Sequence, residues 1–145
     1  MMLFFRVHAE SDRLQGPYQC EHDWFNEELD NELCVHSRDN GRPGPIDDDQ
    51  LYTRFWAKYG SSPSTAYCGF DSMDAALRWF PPRVLMLLEA EGYPLHVYEV
   101  PEDTVLVSRE TGQAMIHREV LVLADPVVQT DQERKDKYVP VGPKR

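Results

Sequence analysis

Basic residues are scarce in this 145-residue chain: 15 lysines and arginines stand against 25 aspartates and glutamates, a formal net charge of −10. A field of that sign repels phosphate backbones, so direct nucleic-acid binding is not the expected function, whereas a protein partner with a basic surface is. Cysteine is scarce too. Cys20, Cys34 and Cys68 cannot all pair within one chain, and no positively charged, apolar leader precedes them, so a reducing cytoplasm is the expected compartment. Long apolar runs are missing: residues 1–5 and 84–88 fall far short of the roughly 20 residues that span a bilayer, so no membrane partner is expected. Several enzyme signatures are missing as well, among them a phosphate-cradling P-loop, a dinucleotide glycine fingerprint, a Gly-x-Ser-x-Gly elbow and a His-Glu-x-x-His zinc motif.

What is present is enough to fold. The hydrophobic fraction is 41% and the aromatic fraction 11%, which excludes a wholly disordered chain. A chain of this length hides roughly 68–70% of its unfolded surface, so a core forms without help from metal or disulfide. The acidic excess is local. Residues 21–50 carry ten acids, from Glu21 to Asp49, against Arg38 and Arg42 alone. The ordinary use of such a stretch is solubility; its specific use is contact with a basic partner through the surface from Glu21 to Asp49.

Periodicity divides the chain into elements. Residues 3–8 alternate as a strand, with Leu3, Phe5 and Val7 on one face and Phe4, Arg6 and His8 on the other. Asp23 is placed to cap a helix whose Phe25, Leu29 and Leu33 face inward while Glu27, Glu28, Asp30 and Glu32 face outward. Asp47 with Gln50 has the spacing of a capping box opening a helix that Gly60 stops, its buried stripe being either Leu51, Phe55 and Tyr59 or Tyr52, Trp56 and Tyr59. Residues 67–70 read as a short strand, and Asp71 or Ser72 as the cap of a helix that Pro81-Pro82 breaks. Pro82 suits the first turn of a further helix that runs to Gly92. Residues 94–100, 104–108, 113–117 and 119–124 read as strands. Helices first and strands last predict an α+β fold, a small mixed or antiparallel sheet with helices packed on it. The expected division is one domain over residues 1–125 and a polar C-terminal arm over 126–145, where Arg134, Lys135, Lys137, Lys144 and Arg145 gather. Trp24, Trp56 and Trp79 fall on helical stripes and are expected in the core.

Three constellations are candidates for chemistry. Cys20-x-His22 and Cys34-x-His36 offer four zinc-type ligands, yet one-residue spacing and an intervening acidic helix depart from knuckle geometry, so no metal is expected. Cys68 with His36 or His96 would make a nucleophilic pair, but no cation adjoins the thiol in sequence to activate it. The third constellation is an order along the chain: Phe5-Arg6-Val7-His8, Gly16-Pro17-Tyr18, Cys68-Gly69-Phe70-Asp71-Ser72 before a helix, Val97-Tyr98-Glu99-Val100-Pro101, then Gly112-Gln113-Ala114-Met115-Ile116.

That order, over roughly residues 3–118, resembles a group of small bacterial and phage proteins, and in outline it is similar to the small ADP-ribosyltransferase-like fold. The resemblance implies an NAD-binding protein that transfers ADP-ribose to a host protein. Carried over, it makes Arg6 the phosphate or ribose fork, Ser72 the central hydroxyl at a helix start, and Gln113 the late-strand residue, with His8, Tyr18 and His36 completing the NAD site. Transferases usually hold Glu at that last position, where a carboxylate stabilises the charge developing on the ribose; Gln113 offers only a dipole, and Glu110 and Glu119 stand nearby. Each residue also has an ordinary role: Arg6 and His8 on the wet face of an edge strand, Ser72 as a helix cap, Gln113 in a hairpin. The alternative function is a non-enzymatic acidic inhibitor that occupies a basic groove, for example on a nucleic-acid-handling complex.

Overall fold

In a computed structural model, residues 1–17, 28–29, 33, 42, 45 and 47–127 are described. Their centre is the first strand, β1 (Met2–Val7). It pairs antiparallel with β2 (Ala66–Phe70) on one side and β3 (Leu95–Val100) on the other, with Phe5 opposite both Phe70 and Val97 and Arg6 opposite His96. β4 (Val105–Val107), β5 (Gln113–His117) and β6 (Asp125–Pro126) complete an open antiparallel sheet of order β4-β5-β2-β1-β3-β6. Both edges are blunted. β6 has two residues, one of them proline, and Arg54 donates to the Val107 carbonyl of β4 at 3.1 Å.

Among the described residues four α-helices flank the sheet: α1 (Leu51–Tyr59), α2 (Met73–Trp79), α3 (Pro82–Ala90) and α4 (Arg118–Leu123). The odd-numbered side chains of β1 decide which helices cover which face. Phe5 and Val7, with Phe70, Leu95 and Val97, pack on Ala75, Ala76, Trp79, Val84, Leu85 and Leu88 of α2 and α3. Leu29 and Leu33 of the acidic stretch join the same cluster, as their spacing predicts. Met115 of β5 points to this side too and packs on Leu51 and Phe55 of α1. The other face, with Phe4, Tyr98, Val100, Val105, Ala114 and Ile116, packs on Leu121 of α4. β1 is therefore buried on both sides. Gly69 is required by that crowding: a Cβ there would lie 2.6 Å from a ring carbon of Phe4 and against the Phe5 carbonyl oxygen.

Local signals hold at several helix ends. The Ser72 hydroxyl accepts from the Ala75 N–H at 3.1 Å, Pro82 opens α3, and Gly60 closes α1 in the left-handed region with its N–H on the Trp56 carbonyl at 2.7 Å. The capping box at Asp47 does not form. α1 instead starts after two left-handed residues, Asp49 and Gln50, with no side-chain cap, because the neighbouring carboxylates are turned to distant partners. The buried stripe of α1 is Leu51 and Phe55, and Trp56 is 56% exposed, so it is not core; Trp79 is buried as expected, and Trp24 lies outside the described residues.

Residues 119–124, expected as a strand, form the helix α4 and its C-terminal turn. Two side chains remote in sequence or just outside the segment explain the difference. His117 Nδ1 accepts from the Glu119 N–H at 3.1 Å at the helix start. At its end the Arg13 guanidinium donates to the carbonyls of Leu121, Val122 and Ala124 at 3.0, 3.3 and 3.0 Å. A cation that satisfies the free carbonyls of a last turn stabilises it, and this overrides the strand propensity of the valines. The described chain ends on this sheet, where Asp125 and Pro126 pair with Glu99 and Tyr98. No described helix is long and apolar enough to cross a membrane.

Candidate functional site

Two polar clusters are buried in the described structure, one on each face of the sheet. The first grows from the even-numbered side chains of β1. Arg6 is 5% exposed, and its guanidinium donates to three backbone carbonyls: Cys68 at 2.6 Å, Arg13 at 2.9 Å and Leu14 at 3.0 Å. Its charge also lies 5.3 Å from the ring centroid of Tyr67. Burial pushes the Arg6 pKa down against the opposing influence of Cys68 and its neighbours, but a guanidinium stays charged. His8 is 2% exposed and stacks on His96 with centroids 3.5 Å apart and planes 8° from parallel.

The hydrogen bonds of His8 fix its tautomer. Nδ1 lies 2.6 Å from the Ala9 carbonyl oxygen, which only accepts, so Nδ1 carries the proton. Nε2 is then the lone pair, and Tyr98 Oη, 2.8 Å away, donates to it. Burial, followed by the positive influence of His96, Arg6 and Arg13, outweighs the pull of the Ala9 carbonyl and holds the His8 pKa down to about 3. The same burial pushes the Tyr98 hydroxyl up, with Arg13 and Arg6 opposing. The Arg13 guanidinium carbon completes the set, 4.8 Å from the Tyr98 ring centroid.

The second cluster holds the β4–β5 hairpin to the start of α1. Asp48 is fully buried. Its carboxylate accepts from the Ser108 hydroxyl, from Thr111 Oγ1 at 2.5 Å and from Gln113 Nε2 at 2.8 Å. Ser108 Oγ in turn accepts from the Glu110 and Thr111 N–H groups at 3.1 and 3.2 Å. Asp49 faces the opposite way. It receives two donors of the Arg109 fork, at 2.7 and 2.9 Å, and Arg54 at 2.8 Å. The Arg109 hydrogen bonds, side chain first, hold the Asp49 carboxyl well below the usual carboxylate range.

The residues expected to share one NAD cleft are distributed as follows. Arg6 and His8 are neighbours on one face. Gln113 is on the other, because Phe5 pairs with Phe70 and Phe70 with Gln113, which puts Phe5, Phe70 and Gln113 on a common side and Arg6 on the reverse. Ser72 caps α2, whose Ala75 and Ala76 pack on the Phe5 side. The sheet therefore separates Arg6 from Ser72 and Gln113, and the three do not converge. Nor are Arg6 and His8 the wet face of an edge strand; β1 has neighbours on both sides and both side chains are buried. Ser72 and Gln113 take the ordinary roles of cap and hairpin residue. Tyr18 and His36 lie outside the described residues, as do Cys20, His22 and Cys34. Burial pushes the Cys68 thiol up to about 11, with Arg6 opposing and Asp48 adding, so it is protonated at neutral pH and a poor nucleophile.

His96 and Tyr98 as partners of His8, Arg13 as a helix cap and Asp48 as the hairpin anchor carry no signal in their own stretch of sequence. The alternation of His96 and Tyr98 matches that of Arg6 and His8, but only the strand register joins them. The acidic surface is also narrower than the stretch from Glu21 to Asp49: Asp48 is inside and Asp49 is occupied by two arginines, whereas Glu28 is exposed and ion-paired with Arg83 at the start of α3.

A family model described as bacteriophage T4 Y00F protein matches residues 2–127. No curated protein and no solved structure matches the chain.

Proposed function

This chain belongs to that phage protein family, and from that premise we propose that it is a non-enzymatic binding protein that engages a basic surface of a host protein through the acidic stretch between Glu21 and Asp47. One observation carries the proposal. Leu29 and Leu33 are anchored in the main core while Glu28, beside Leu29, is exposed next to Arg83, so the acidic stretch is tied to the domain at these two leucines. Anchoring an acidic segment to a folded core lowers the entropy it loses on binding relative to a free acidic tail, and its charge steers a basic partner towards it. A groove that normally receives nucleic acid is the kind of basic surface it suits.

The NAD-binding, ADP-ribosyltransferase-like reading draws less support. It needs Arg6, Ser72 and Gln113 around one ligand, and the sheet stands between them, with each already bonded within the protein. One pair of measurements separates the two. In affinity capture from host extract, wild type and a Glu27→Lys/Glu28→Lys/Asp30→Lys variant are compared across a salt gradient, and calorimetry tests NAD and ADP-ribose. The binding proposal expects a partner whose retention falls with salt and is lost in the variant, with no heat from either nucleotide. Retention that ignores charge reversal, or saturable NAD binding that Arg6→Ala abolishes, would overturn it.

A further inference from the structure

Residues 9–15 leave β1 as a strap that folds back over the sheet face carrying Arg6 and His8. Its own bonds close it into a tight loop: Ala9 N–H on the Gln15 carbonyl at 2.9 Å, Asp12 N–H on Ala9 at 3.2 Å, Gln15 N–H on Asp12 at 3.1 Å, and Leu14 N–H on the Asp12 carboxylate at 2.9 Å. Three side chains fasten this loop to the rest of the molecule. Arg6 holds it from beneath by the carbonyls of Arg13 and Leu14. Arg13 fastens it sideways, on the last carbonyls of α4 and the face of Tyr98. His8 fastens its first residue, through Nδ1–H to the Ala9 carbonyl, while its other nitrogen accepts from Tyr98.

His8 is the titratable member of that fastening. A second proton, on Nε2, would remove the acceptor that Tyr98 uses. It would also place a positive charge against the ring of His96 from β3, the guanidinium of Arg6 from β1 and that of Arg13 from the strap itself. Asp12, the strap's carboxylate, acts on Arg6. We propose that the strap is a proton-coupled latch: it closes over neutral His8, and acidification opens it, releasing Arg13 from α4 and two of the Arg6 donors together.

Linkage gives the direction and size. Closed, His8 titrates at about 3, and open to water it titrates at its ordinary 6.5. Between those values only the open form takes up the proton, so the opening equilibrium rises about tenfold per pH unit as pH falls below 6.5, and about thirtyfold between pH 7.5 and 5.0. Above pH 6.5 the latch is insensitive to pH. The strap is short and lies outside the sheet's strand ladder, with only Ala9 and Leu14 packed on the core, so it opens without unfolding the sheet.

Hydrogen exchange followed by mass spectrometry tests this on the full chain, with exchange times scaled for intrinsic rates. Peptides covering residues 9–15 are compared with peptides covering β5 at pH 7.5, 6.5, 5.5 and 5.0, with and without sub-denaturing urea. The expected result is a loss of strap protection of about thirtyfold from pH 7.5 to 5.0, unaffected by urea, and a flat profile in His8→Phe, which keeps the stack on His96 without a titrating nitrogen. His8→Asn serves as a second non-titrating variant should His8→Phe fail to fold. Strap protection that is constant across this range, a slope that persists in the folded variant, or strap and β5 amides that open together with the same urea dependence would each overturn the proposal.

Discussion

Replacing Asp48 by alanine removes one fully buried carboxylate on which three side-chain donors of the β4–β5 hairpin converge, those of Ser108, Thr111 and Gln113. A hydrogen bond to a charged group contributes about 1.5–3 kcal/mol, but three that share one carboxylate do not add, and the two hydroxyls can turn to other acceptors. Gln113 Nε2 cannot turn so freely. A net loss of about 2–4 kcal/mol follows, since a buried donor left unsatisfied costs about 1–3 kcal/mol. Asparagine is a sharper probe. Its amide oxygen can keep Thr111 and Gln113, but its nitrogen would face Ser108 Oγ, which already accepts from two backbone N–H groups, so Asp48→Asn is expected to lose about 2 kcal/mol. Urea unfolding followed by far-UV circular dichroism measures both, and the double change with Gln113→Ala measures the coupling, expected between about 0.5 and 3 kcal/mol. An Asp48→Ala protein within about 1 kcal/mol of wild type, or additivity with Gln113→Ala, would refute the anchoring role.

Other substitutions test the remaining assignments. Arg6→Ala is expected to destabilise by about 2–4 kcal/mol, from buried carbonyls left without their donor, and Arg6→Lys to recover only part of that, because an ammonium cannot reproduce a planar fork to three carbonyls; full rescue by lysine in denaturant titration would contradict the geometry. Ser72→Ala should cost about 1 kcal/mol and Ser72→Asp almost nothing, as expected of an N-cap, and thermal melts distinguish the two. Gly69→Ala should cost about 3 kcal/mol or more, since the new methyl meets β1 itself. Gly92→Ala meets open space and bears only the left-handed backbone penalty, about 1 kcal/mol, so the two variants should separate clearly in the same melt.

Features set by neighbours along the chain were readable without coordinates. The strand at residues 3–8, the cap at Ser72, the proline at the start of α3 and the glycine stop at Gly60 each depend on a handful of adjacent residues. The inward turn of Leu29 and Leu33 depends only on helical spacing. The failures share a cause. The 119–124 segment is rich in strand formers, but an arginine about a hundred residues earlier satisfies its last carbonyls as a helix. Asp47 with Gln50 reads as a capping box, but the two aspartates that follow Asp47 are held by residues about sixty positions later, and the helix starts without a side-chain cap. The expected grouping of Arg6, Ser72 and Gln113 rests on chain order, and chain order does not say which side of a sheet a residue is on.

Alternation within one strand shows that Arg6 and His8 are neighbours, and composition shows that the stretch from Glu21 is acidic; both were determined by the sequence alone. Only the tertiary structure decided that β1 lies in the middle of the sheet, that its register sets His96 and Tyr98 beside Arg6 and His8, and that Gln113 is on the far side. The physical reason is the period of two in a pleated strand: shifting a pairing by one residue reverses every side chain, and the pairing is fixed by the packing of helices distant in sequence.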